Sequence, residues 1–346
     1  MIVSGFEGTY LNSQTKKLIT EQGIGGLILF ERNYENPKQL KKLIEDLQGI
    51  TPKQSPPLFI SVDQEGGRVL RLKEPFTQFP PMCCLGQADS DDLAYRFGLG
   101  MGKEMKAVGI NMDYAPVLDV HSNSDNPIIG QRAISSNPEK VARLGCKIIQ
   151  GFKDAKVFPV GKHFPGHGDT SQDSHVTLPL VERDQKSLEQ VELIPFSKAF
   201  KEGLEIIMTA HVVYPTWDAS SAATFSNIIL KNLLRNKMGF KGLVMSDDLE
   251  MQAVTQTMEE IPSLAVNAGV DLFLICHDIS KVTQLQEALI KGIEKGEISH
   301  KTVNDSYQKI ITTKQKLAGF MDDEMILETI LEENLKLAEE MRSYLI

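Results

Sequence analysis

The sequence predicts an α/β fold of the TIM type, a (β/α)8 barrel closed by eight parallel strands. Three observations predict it. Eight short runs are rich in Ile, Val, Leu and Phe and lack clean alternation, the pattern of strands buried on both faces. Helix-like segments separate most of these runs, which implies βα units around a parallel sheet. Ionisable residues follow several runs directly, as they do where the C-terminal strand ends of a barrel form a site.

In chain order the predicted strands are Ile2–Phe6, Gly26–Phe30, Leu58–Val62, Ile110–Tyr114, Val157–Gly161, Ile206–Thr209, Gly242–Met245 and Val270–Ile275. The predicted helices are Pro37–Leu47, Asp91–Val108, Pro138–Ala155, Leu188–Glu202, Ile229–Lys237, Ile261–Ala268 and Val282–Lys295. Asn137 before Pro138 is a helix start, with an N-cap side chain and a proline whose missing N–H costs nothing there. The early connections are uneven and some leave little room for a full helix, so distortion is expected in the first units. After His300 the chain reads as helix to the end, with a break at Gly319, and Asp323–Tyr344 is charged and amphipathic. The expected organisation is a barrel over residues 1–320 and a helical extension over residues 321–346 packed on it.

The chain of 346 residues is long enough for such a barrel, and its 41% hydrophobic and 24% charged residues are ordinary for a globular protein. A net charge of -9 argues against nucleic acid, which needs a basic footprint. Four cysteines show no zinc spacing and read as reduced thiols. The N-terminus lacks the features of a secretory signal, and no apolar run approaches the roughly 20 residues of a membrane span. The expectation is a cytoplasmic monomer with no membrane partner.

Four segments carry candidate chemistry. Gly161–Pro179, GKHFPGHGDTSQDSHVTLP, gathers three His, two Asp, three Gly and two Pro in a predicted loop. Three readings of it stand side by side. In one, Asp173 accepts a hydrogen bond from His175, two residues on, and orients an imidazole for general acid/base work. In another, His163, His167, Asp169, Asp173 and His175 hold a metal, although no known ligand spacing is present. In the third, the histidines are structural. Gly242–Met251, GLVMSDDLEM, places Asp247 and Asp248 after a strand. Two adjacent carboxylates are not both cheaply buried, so one is expected at the barrel mouth and the other as the cap of the following helix. Ser61–Arg71 carries Asp63, a glycine pair and Arg71, suited to hydroxyl or carboxylate recognition or to a buried Asp–Arg pair. Asn126–Ser135 places Arg132 in a loop.

Together these motifs resemble glycoside hydrolase family 3, specifically its single-domain β-N-acetylhexosaminidases. VDQEGGRVLR at Val62–Arg71, NPIIGQR at Asn126–Arg132, GKHFPGHGDTSQDSH at Gly161–His175 and GFKGLVMSDDLEM at Gly239–Met251 carry the resemblance, in order, over most of the chain. KHFPGHG followed by the DSH unit is similar to the N-acetylglucosaminidase branch rather than the β-glucosidases. The resemblance implies Asp247 as nucleophile, His175 as acid/base and Asp173 as its dyad partner. It implies Asp63, Arg71, Arg132, Lys162 and His163 as residues that hold the sugar, and neither metal nor organic cofactor. It also implies a retaining exo-enzyme acting on terminal β-linked N-acetylglucosamine in peptidoglycan turnover fragments, with an acidic anhydro-muropeptide as substrate.

The sequence departs from the family pattern at Glu250, where a small residue is usual, and at Ala133 and Ile134, where a Ser-Phe pair is. Both departures bear on fine specificity. A broad family 3 β-glycosidase and a glycoside phosphorylase share the same catalytic groups and stay as alternatives, with a metal-dependent hydrolase behind them. His211, His277, Asp113 and Asp119 stand near predicted strand ends without an assigned role.

Overall fold

The computed structural model describes residues 1–52, 54–171, 178–317 and 326–345. Eight strands close a barrel: β1 Ile2–Ser4, β2 Gly26–Leu29, β3 Phe59–Val62, β4 Met112–Asp113, β5 Phe158–Phe164, β6 Ile206–Thr209, β7 Leu243–Asp248 and β8 Leu272–Ile275. Each pairs in parallel with its sequence neighbours, and β1 also pairs with β8. Every predicted strand is present, within a few residues at its ends.

The missing polar alternation now has its cause. Val3, Ile28, Phe59, Val160, Met208 and Leu243 fill the barrel interior, where the Phe59 and Phe158 rings meet edge-on at 6.2 Å. Alternate residues such as Ile2, Leu27, Ile60 and Val244 pack outward against the helices. Both faces are dry, so both are apolar. Gly26 is required by a close approach, since a Cβ there would stand 2.7 Å from that of Phe59 on β3.

The helices follow the same logic. Pro37–Gly49 and Pro138–Asp154 start on Asn36 and Asn137, whose side chains accept first-turn amides. The first connection is the tight one; it fits the eight-residue helix Ser13–Thr20, and the regular strand order is kept. That helix and Cys83–Ala88 were not predicted. The predicted helix Leu188–Glu202 is two, Gln185–Gln190 and Leu193–Lys201. Ile228–Lys237 winds as a wider π-type helix.

Near the C-terminus, Leu327–Arg342 lies on Asp91–Val108. Asn334 Nδ2 donates to Gly100 O at 2.9 Å and to Glu104 Oε1 at 2.7 Å, and Arg96 forks onto Glu340. Gly319 and Asp323 lie outside the described residues. All four cysteines are free. Among the described residues, no helix is long and apolar enough to cross a membrane.

Candidate active site

The polar residues that end or follow β3, β5 and β7 converge at the C-terminal rim. After β3 the chain turns through a short hairpin, Gln64–Gly66 against Val69–Leu70, with Gly66 at φ +99° and Gly67 at φ +61°. Gln64 locks the turn: its Oε1 accepts the amides of Arg71 and Leu72, and its own amide donates to Asp113 Oδ1 at 3.0 Å. This fold turns Glu65 inward until it is buried.

Glu65 is the centre of a charge cluster that the sequence did not disclose. Arg132 reaches it with both Nε and Nη2 at 2.8 Å, the bidentate geometry that makes guanidinium–carboxylate pairs strong. Lys162, buried on β5, sits 2.6 Å from Glu65 and 2.7 Å from Asp63. Burial opposes the charge on Glu65, but Arg132 and Lys162 hold its carboxyl well below the usual range. Burial likewise works against the charge on Lys162, and Asp63 and Glu65 overcome it, so its pKa is raised. Asp113, beneath, is fully buried, and burial pushes its carboxyl well up.

Asp119 organises the next segment. It is fully buried and accepts three hydrogen bonds: from the His163 amide at 3.1 Å, from His163 Nδ1 at 2.7 Å and from the His167 amide at 2.7 Å. Burial pushes Asp119 up, yet these partners outweigh it and hold its carboxyl below its ordinary value. The contact fixes the ring of His163 so that Nε2 is the free edge. His167 is buried with Nδ1 on Thr170 Oγ1, and burial beside His163 pushes it down to about 4. Asn126, in the NPIIGQR motif, donates to His167 O, Gly168 O and Thr170 Oγ1 and so sews two loops together. Only glycine fits at 168, because a Cβ there would stand 1.6 Å from Val120 O.

Asp247 lies at the end of β7. Burial pushes its carboxyl up, but the charges of His163 and His211, the Asp248 amide at 2.8 Å and Lys162 outweigh that and hold it below its ordinary value. Asp248 has the opposite fate. Burial, with the charges of Glu250 and Asp247, pushes it up to about 7 against the pull of the Glu250 amide. Its Oδ1 accepts that amide at 3.1 Å in a turn. The expected helix cap is thus a turn cap, because the next helix, Ile261–Ala268, starts well downstream. Glu250 itself accepts the amides of His277 and Asp278 and pairs with Lys281, tying the β7 loop to the start of helix Ile279–Glu294. His211 is buried between Asp248 O and Thr224 Oγ1, and burial lowers its pKa.

These groups line one cavity of about 320 Å³, walled by Asp63, Glu65, Arg71, Arg132, Lys162, His163 and Asp247 together with Arg68, His167 and Met251. Six of the eight residues singled out from sequence therefore meet in one place. Asp173 and His175 lie outside the described residues. The described members of the metal reading are held by other partners: His163 by Asp119, His167 by Thr170 and Asp169 by Arg183 at 2.6 Å. Sequence reasoning missed Glu65, Asn126 and the positioning role of Asp119. Each works through a partner far along the chain.

Residues 3–313 match the family model for the glycosyl hydrolase family 3 N-terminal domain. The chain belongs to glycosyl hydrolase family 3. As a member of that family it is a glycoside hydrolase. A β-hexosaminidase of Nitrosomonas eutropha is 38% identical over 294 residues, 82% of each chain. A family 3 β-N-acetylglucosaminidase from Paenibacillus superposes with a TM-score of 0.93 at 37% identity, over 99% of this chain and 67% of that one. NagZ from Neisseria gonorrhoeae, solved with N-trifluoroacetyl-D-glucosamine, superposes at 0.81 with 32% identity over 97% of both chains.

Proposed function

We propose that this family 3 enzyme is a retaining exo-β-N-acetylglucosaminidase. The observation that carries the reading is Asp247: a carboxylate at the end of a barrel strand, held ionised by its neighbours and facing a cavity lined with cations and carboxylates. A nucleophile must be charged, near the substrate and incompletely neutralised, and Asp247 meets those conditions. The relatives named for N-acetylglucosamine or hexosamine chemistry support an acetamido sugar as the substrate.

In this reading Asp63, Arg71, Arg132, Lys162 and His163 hold the terminal sugar. Asp247 attacks the anomeric carbon, the glycosidic C–O bond breaks, and His175 gives its proton to the departing oxygen. A glycosyl ester forms on Asp247. His175, now neutral and oriented by Asp173, takes a proton from water as that water attacks the same carbon. The ester bond breaks, Asp247 regains its charge, and the sugar leaves with its β-configuration retained. No metal or organic cofactor enters these steps. We assign the substrate to peptidoglycan turnover fragments carrying an acidic anhydro-muramoyl group, and the enzyme to the cytoplasm. The Arg and Lys side chains of the cavity suit an acidic aglycone.

The test is hydrolysis of an aryl β-N-acetylglucosaminide and the matching aryl β-glucoside, with and without EDTA and phosphate. Turnover selective for the acetamido sugar, insensitive to EDTA, and reduced in Asp247→Asn by on the order of 10³-fold or more is expected. Equal rates on the two sugars would favour a broad β-glycosidase. A sugar phosphate formed only with phosphate would favour a phosphorylase. Loss of activity with EDTA would favour a metal-dependent hydrolase.

A further inference from the structure

Behind the cavity, and not part of its wall, lies a buried acid that the mechanism does not use. Glu192 stands between the helices Gln185–Gln190 and Leu193–Lys201, where the sequence predicts one continuous helix. It is fully buried. Its Oε1 accepts a hydrogen bond from Ser122 Oγ at 2.8 Å, and among the described residues its Oε2 has no partner. The carboxyl is pressed against Gly166, where a Cβ would stand 2.5 Å from Oε2. Gly166 has φ +138°, and its carbonyl takes the Tyr214 hydroxyl at 2.5 Å. The next residue, His167, donates its amide to Asp119, which also holds the ring of His163. Glu192 therefore backs the segment that presents His163 to the cavity.

We propose that Glu192 is a positioning residue that seats the His163–His167 segment while it is a neutral acid and releases that segment when it ionises. The proposal rests on reading the cavity as the N-acetylglucosamine site. The groups facing Glu192 explain the behaviour. Asp119 comes from the loop after β4, Asp169 from the loop after β5, and Tyr214 from beyond β6. The nearby cation, Arg183, is already paired with Asp169. An ionised Glu192 would join two other carboxylates in a dry space with its Oε2 unbonded, a state that buried charge tolerates poorly. Burial pushes Glu192 up to about 8 even against the Ser122 hydrogen bond, with Asp119 and Asp169 adding to it. The relief available is a shift of the Gly166 backbone, which moves His167 and with it the Asp119–His163 contact.

The experiment measures affinity for N-acetylglucosamine by calorimetry from pH 6.5 to 9.5, which needs no acid/base turnover, alongside thermal unfolding over pH 5–9. The wild type is expected to lose affinity roughly tenfold or more across pH 8, as the competent fraction falls. Glu192→Gln, neutral at every pH, is expected to lose none of its affinity over that step. Its melting temperature relative to wild type is expected to rise between pH 5 and pH 8, because the folded wild type holds a proton that its unfolded chain has released. Ser122→Ala removes a bond that favours the ionised form, so its affinity step is expected about half a unit to one unit higher in pH. If wild type and Glu192→Gln fall together, or if the wild type does not fall at all, the proposal is overturned. Should Glu192→Gln not fold, an unmoved step in Ser122→Ala overturns it equally. If N-acetylglucosamine does not bind even at neutral pH, the functional reading fails, and the unfolding data alone decide the role of Glu192.

Discussion

The barrel carries a buried charge cluster at each end, and the two differ in one respect. At the N-terminal end, Asp271 is met by Arg235 Nη2 at 2.8 Å, by Ser306 Oγ at 2.6 Å, by Lys309 Nζ and by the amide of Val244 at 3.0 Å. Arg235 spends its remaining reach on the carbonyls of Phe240 and Gly242. Every bonding capacity of Asp271 is used, and the cluster fastens helix His300–Gln315 to the start of β7 and β8. At the C-terminal end the cluster of Asp63, Glu65, Arg132 and Lys162 is also built of paired charges but is unfinished. Asp63 keeps a fifth of its side chain exposed, and Arg71 on the cavity wall has, among the described residues, no partner for its Nε. A saturated cluster holds a fold together. An unsaturated one facing a cavity keeps capacity for a ligand.

The largest expected effects come from breaking the two clusters in parallel. Asp271→Ala leaves Arg235 and Lys309 without their counter-charge, and Arg132→Ala strips Glu65 of its bidentate partner. Each is expected to cost about 3–5 kcal/mol of stability, as removal of one member of a buried pair does. Urea unfolding measures that loss, and kinetics separates the two. The folded fraction of Asp271→Ala should keep the wild-type KM, and Arg132→Ala should not. Equal KM values would erase the distinction drawn here.

A pH series sharpens the comparison at smaller amplitude. Glu65 is held below its unfolded value, so the native protein binds fewer protons than the unfolded chain in the acid range. The stability this gives is complete above about pH 4.5 and is lost as pH falls toward the folded value. The deficit of Glu65→Gln relative to wild type should therefore be largest near pH 7 and shrink below pH 4. A deficit independent of pH would mean that Glu65 acts by packing alone.

The smallest effect on stability is expected at Arg71. Its guanidinium lies 5.6 Å from the Phe30 ring centroid and, among the described residues, pairs with no carboxylate. Arg71→Ala should cost no more than about 1 kcal/mol in unfolding, yet raise KM roughly tenfold if the group binds substrate. A large stability loss with unchanged KM would make it structural.

The legible part of this molecule was the part whose signal is local. β3 and β8 could be read because a strand with two dry faces is mostly apolar: Leu272–Ile275 is so throughout, and Phe59–Val62 is broken only by Ser61, whose hydroxyl bonds to the Leu27 carbonyl and the Tyr114 hydroxyl. Asp63, Lys162 and Asp247 could be placed on the rim because each directly follows or ends such a run. Helix Ser13–Thr20 was not legible, because SQTKKLIT buries only Thr15, Leu18 and Ile19 and shows no apolar stripe of useful length. Glu65 was not legible for a different reason. Nothing near it in sequence demands burial; the demand comes from Arg132, 67 residues on, and Lys162 beyond. Asp119 and Asn126 are similar, since what they hold, His163 at the end of β5 and His167 in the loop after it, lies about 40 residues further along the chain. One of Asp247 and Asp248 is expected from sequence to cap a helix because Asp after a strand commonly does; Asp248 caps a turn instead, because the chain there winds through irregular backbone before Ile261.

The most direct test of the central claim is to trap the intermediate. Incubation with a 5-fluoro-N-acetylglucosaminyl fluoride, followed by digestion and mass spectrometry, should add one fluorosugar to the peptide that carries Asp247 in the wild type and none in Asp247→Asn. A sugar on any other residue, or turnover that releases the inverted anomer without an adduct, would contradict the covalent role assigned to Asp247.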